Sequence, residues 1–174
     1  MATISLSFSS CNKLKDAIGV KDIFADSKDI PFDIPPTAVG SQLQSGDASF
    51  NGDSLIKANA PGFSASNIKS ATVSKISLDI TSGASVDNNF SNFSDGGVAL
   101  YNNVAPDKLT VAQVMNNPAV YSTHLDVPLT GTSDLSAYVK GTLITYLYGY
   151  TLRKATTAPL HIVMHVQYKL GVGL

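Results

Sequence analysis

The sequence has no glutamate and no tryptophan, a single cysteine and a single arginine among its 174 residues. All 13 acidic residues are therefore aspartates. Glutamate is a good helix former, whereas aspartate competes with the backbone and favours turns and caps, so the acidic complement works against helices. Cys11 has no partner within the chain, which excludes an intrachain disulfide framework. Arg153 is the lone arginine, the net charge is −1 and only 14% of residues are charged. No basic surface tracks phosphates, and nucleic acid is not an expected partner. No run reaches the roughly 18 apolar residues of a membrane-spanning helix. Chemical motifs are scarce as well. There is no phosphate loop, no dinucleotide fingerprint and no G-x-S-x-G elbow, and paired-carboxylate chemistry would rest on aspartate alone. Neither catalysis nor a cofactor is expected.

What the chain does have is alternation. In "APLHIVMHVQYKLGV", Leu160, Ile162, Met164, Val166, Tyr168 and Leu170 hold one parity, and His161, Val163, His165, Gln167 and Lys169 the other. That is a long strand with one face buried. Before it, "GTLITYLYGYTLR" is β-branched and aromatic throughout, and the short link "KATTAP" predicts an antiparallel hairpin between the two. "ATVSKISLDIT", "GGVALYN" and "STHLDVPLT" read as further strands, the last at an edge or a bulge because of Pro128. "KDIPFDIPP" reads as a proline-guarded edge strand. Short helices are expected in "NKLKDAIGV", "DKLTVAQVMNN" and "TSDLSAYVKG", the last capped by Ser133 or Asp134. Residues 36–66 read as a long loop. The sum is an all-β chain: one antiparallel β-sandwich of six to eight strands with one or two short helices, over residues 23–174. At this length a single domain buries about 70% of its unfolded surface.

The opening stretch "MATISLSFSSC" admits two readings. Ile4, Leu6 and Phe8 alternate with serines as a strand does, yet "SFSSC" also matches the end of a lipoprotein leader, with Cys11 as the lipidated residue. A basic n-region is lacking and the apolar part is shorter than a signal core, so lipidation requires a longer precursor. Residues 1–22 are thus an N-terminal strand or a truncated leader.

Candidate sites follow from residue type and spacing. His161 and His165 share a strand face but lie about 13 Å apart, too far for one metal ion. His124 and Asp126 share a face, and a Ser–His–Asp set is recognised by geometry rather than by order. The loop "DNNFSNFSDGG" offers oxygens at Asp87, Asn89 and Asp95, a weak calcium candidate with only two carboxylates, and two N-x-S sequons at Asn89 and Asn92. Tyr146, Tyr148 and Tyr150 project from one face of a strand, where amphipathic rings either pack or meet a protein or glycan partner.

The segments "NIKSATVSKISLDIT", "LDVPLTGTSDLSAYVKG" and "APLHIVMHVQYKLGV", in that order, resemble small β-sandwich surface lipoproteins of Bacteroidetes-type bacteria. The resemblance implies an extracellular or outer-membrane location, with the membrane reached only through a lipid on Cys11, and supplies no activity. Two functional expectations stand. One is a non-enzymatic cell-surface module that binds a protein or glycan through its loops or its tyrosines. The alternative is a structural subunit that assembles with its own copies, in a filament or a virion-like shell, through strand addition by Ile4, Leu6 and Phe8.

Overall fold

The structure is a computed structural model that describes residues 19–49, 51–131, 133–140 and 143–173, with backbone only for residues 44–49 and 55. Its strands run β1 Lys21–Asp26, β2 Ile30–Ile34, β3 Gly40–Ser49, β4 Ile68–Ser82, β5 Phe93–Tyr101, β6 Leu109–Val114, β7 His124–Asp126, β8 Leu143–Leu152 and β9 Leu160–Val172. Two short helices interrupt them, α1 at Gly52–Asn59 and α2 at Ser136–Val139. All strand pairs are antiparallel. β1 and β2 lie end to end along β9, and the first sheet continues β9-β4-β7, while the second runs β3-β8-β5-β6. With β1 and β2 taken as one broken strand, this is the eight-stranded, double Greek-key order of a jelly roll.

The expected sandwich is therefore present, with three local corrections. β8 and β9 do not pair as a hairpin: their link crosses from one sheet to the other, and the two strands face each other through the core. "DKLTVAQVMNN" contributes β6 rather than a helix. Leu109, Val111, Ala112 and Val114 keep no single period, because a bulge opposite Val98 and Ala99 shifts the parity within the strand. Residues 36–66 are not a loop but contain β3 and α1. β3 is polar because an edge strand is held by backbone hydrogen bonds, which leave no side-chain signature. β1 begins at Lys21, whose register partner is Val172. The expected helix in "NKLKDAIGV" lies almost wholly outside the described residues, as do Ile4, Leu6, Phe8 and Cys11.

The core is built from the parity that the alternation marks. Leu160, Ile162, Met164, Val166, Tyr168 and Leu170 are all buried, and their neighbours His161 and His165 face solvent. From the opposite sheet, Ile144, Tyr146, Tyr148, Tyr150 and Leu152 point inward. Phe93 sits edge-on to Tyr150 at 5.4 Å, and Phe32 stands 6.0 Å from Tyr148 across the two sheets. The hydroxyls of Tyr146 and Tyr168 hydrogen-bond to each other between the layers.

Candidate functional site

Two features of the surface carry functional weight: the free strand edges, and a ladder of histidines and aspartates on the outer face of the β9-β4-β7 sheet.

A sandwich has four edges, and an edge strand left open is a template for another chain. Three of them are guarded. β1 and β2 carry Lys21, Asp22, Asp26, Asp33 and Pro31, the charges and proline that blunt an edge. β7 is three residues long. β6 is covered by the following loop, where Gln113 N–H donates to the Pro128 carbonyl at 2.7 Å and Thr130 N–H to Val111 at 3.0 Å. β3 differs. It is ten residues long, contains no lysine, arginine or proline, and pairs on one side only, with β8 from Gly40↔Leu152 to Ser49↔Leu143. Among the described residues no backbone hydrogen bond reaches its outer edge. Leu43 on this strand is 61% exposed and borders a shallow groove with Leu147, Gly97 and Gly149.

The ladder arises because outward-facing positions of neighbouring strands stand side by side. Asp79 of β4 is register partner to His124 of β7 and to Val163 of β9, while His165 pairs with the adjacent Ser77. His124 places Nδ1 2.7 Å from Asp79 Oδ1 and Nε2 3.3 Å from Asp126 Oδ1. His165 places Nε2 3.3 Å from Asp79 Oδ2 and Nδ1 3.3 Å from Asp29 Oδ1, in the link between β1 and β2. The result is a continuous row, Asp126–His124–Asp79–His165–Asp29. His161 adds a separate pair, Nδ1 to Asp33 of β2 at 2.6 Å. The hydrogen bond to Asp79 is the main cause that raises the His124 pKa above its ordinary value. A polar cleft of about 390 Å³ opens beside His165, lined also by Ser77, Asp26 and Asp29.

The other candidates are distributed differently. Tyr146, Tyr148 and Tyr150 do not form a binding face: they are 0%, 0% and 3% exposed and belong to the core. Leu143 and Leu147 on the other parity of β8 are apolar as well, so the position of the second sheet decided which face was buried. His124 spends both ring nitrogens on carboxylates and has no serine hydroxyl at either, so His124 and Asp126 do not assemble a nucleophile–base pair. Asp87 pairs with Lys154 at 2.7 Å, and Asn89 is buried and accepts from the Ser91 amide at 2.9 Å. Asp95 accepts from the Asn116 amide at 3.0 Å, the leading cause of its lowered pKa. The loop thus turns the three calcium candidates to different partners. Asn89 and Asn92 donate their side-chain amides to backbone carbonyls, so both sequons are closed in the fold. Among the described residues no group of three or more His, Cys, Asp or Glu is placed to hold a metal ion. Sequence reasoning missed the ladder, because strand order alone brings β7, β4 and β9 together.

No family model and no curated protein matches the chain. Its fold is similar to that of a solved structure of Desmodium yellow mottle tymovirus, 16% identical over 89% of each chain with a TM-score of 0.27. A nora virus structure is 9% identical, covering 87% of this chain and 61% of that one with a TM-score of 0.37. Turnip yellow mosaic virus, at 11% identity over 88% of this chain and 96% of that one, gives a TM-score of 0.31. These likenesses concern the fold alone.

Proposed function

We propose that the chain is a structural subunit that associates with copies of itself by strand addition at the outer edge of β3. The carrying observation is the contrast among its edges: among the described residues, three are guarded by charge, proline, brevity or a covering loop, and β3 alone is long and open. An added strand gains main-chain hydrogen bonds along the ten residues of β3, and side chains on alternate positions set its specificity. The alternation of Ile4, Leu6 and Phe8 supplies a donor of suitable length from a neighbouring copy. Of the surface-module reading, the tyrosine-bearing face loses its support, because those rings lie in the core.

Light scattering and negative-stain electron microscopy on the full chain test the reading. The full chain is expected to run above monomer mass and to show particles or fibres at high concentration. Leu43→Lys puts a charge on the open edge at an exposed position, and is expected to weaken association at least about tenfold with unchanged circular dichroism. A chain lacking residues 1–10 is expected to behave likewise. A strictly monomeric full chain under all these conditions overturns the proposal.

A further inference from the structure

The Asp126–His124–Asp79–His165–Asp29 row crosses the whole sheet, from the short edge strand β7 over β4 and β9 to the β1–β2 link. Each imidazole in it stands between two carboxylates, one at each ring nitrogen. A neutral imidazole has one N–H and one lone pair, so it can donate to only one of its two neighbours and presents a lone pair to the other. An imidazolium donates to both. His124 therefore engages Asp79 and Asp126 together only as an imidazolium.

We propose that His124 in this row is a pH-operated clasp, which ties the short edge strand β7 to the central strand β4 when its imidazole is charged and loosens it when neutral. The inference is independent of the assembly reading.

The surrounding charges agree with it. From β4, Asp79 and Lys75 face the row, and Lys75 stands 3.4 Å from Asp126. From the β1–β2 side come Asp29, Asp26, which accepts from Gln167, and Asp22, which is paired with Lys169 of β9. With His124 protonated, Asp79 and Asp126 share its imidazolium, and Lys75 adds a second cation beside Asp126. With His124 neutral, both carboxylates lose that shared partner. The raised pKa of His124 gives the direction: stabilisation is complete below the ordinary value of 6.5 and is lost as pH rises through the folded value. β7 is the element that feels this most, because only three register pairs hold it to β4. All members of the row are partly exposed, so the effect is local and modest rather than a switch of the whole fold.

Amide hydrogen exchange on the full chain reads the clasp. The Val127 amide donates to Ile76 of β4 and so reports the β7 end. Its protection, normalised to intrinsic exchange rates, is expected to fall about threefold between about pH 5.5 and about pH 8, while the Val98 amide of the core stays protected. In His124→Gln the Val127 amide is expected to show the low protection at both pH values. A pH-independent profile in the unaltered protein, or an unaltered profile for Val127 in His124→Gln, overturns the proposal.

Discussion

Tyr146 and Tyr168 reach across the sandwich from opposite sheets and share one hydrogen bond between hydroxyls that are otherwise sealed from water. Burial pushes the Tyr146 hydroxyl up to about 12 and raises that of Tyr168 well above the ordinary value of 10.0. A pKa raised in the fold stabilises the protein fully below the unfolded value and ceases to do so as pH climbs through the folded one. Stability is thus expected to hold to about pH 10 and to fall steeply towards about pH 12. Ionisation of the buried Tyr146 and Tyr168, followed by their ring NMR signals, should coincide with unfolding by circular dichroism and not precede it. Tyr168→Phe strands the buried Tyr146 hydroxyl and should cost about 1–3 kcal/mol in urea titration, whereas replacing both rings by Phe should cost less than the sum of the single changes. At this scale the sequence is legible only in part. The alternation in 160–170 names its buried residues, because one parity is polar. The tyrosines of β8 cannot be sorted that way, because Leu147 on the other parity is also apolar and is 9% exposed.

Elements are legible in proportion to how much their own side chains decide. β9 and β4 follow from period-2 patterns, and α2 from Asp134, whose carboxylate accepts from the Ser136 amide at 3.1 Å. β3 was not legible, since its register is set by β8 through backbone pairing along its whole length. β6 was misread because a bulge breaks its alternation midway. The turn after β4 shows a constraint of another kind. Gly83 has φ +84°, and a Cβ there would fall on the Pro159 carbonyl oxygen at the start of β9. Gly83→Ala combines a left-handed backbone with a backbone clash, and should destabilise by about 3 kcal/mol in thermal or urea unfolding. Gly131, whose added Cβ meets nothing within 4 Å, makes the control: Gly131→Ala should change stability by less than about 0.5 kcal/mol.

For the whole molecule, strand order has the largest consequences. It splits β8 and β9 between sheets, sends the aromatic face of β8 into the core, and lines up three histidines with aspartates from elements far apart in the chain. It also determines which edges exist. An assembly built on β3 predicts that salt has little influence on association, because Asp47 is the strand's one charged residue. Sedimentation of the full chain from about 0.05 to about 1 M salt should shift by less than about threefold, and a much larger shift would point to a charged contact instead.

The sequence by itself determined the class: without glutamate and with sustained alternation, the chain buries one face of long strands and forms an antiparallel sandwich with few helices. Local pattern suffices for that, because the parity of a strand is a property of adjacent residues. Tertiary structure alone decided the pairing partners, the open edge at β3 and the histidine–aspartate row. Those depend on which strands lie side by side, and contacts between residues as distant as Asp29 and His165 leave no local trace in the order of amino acids.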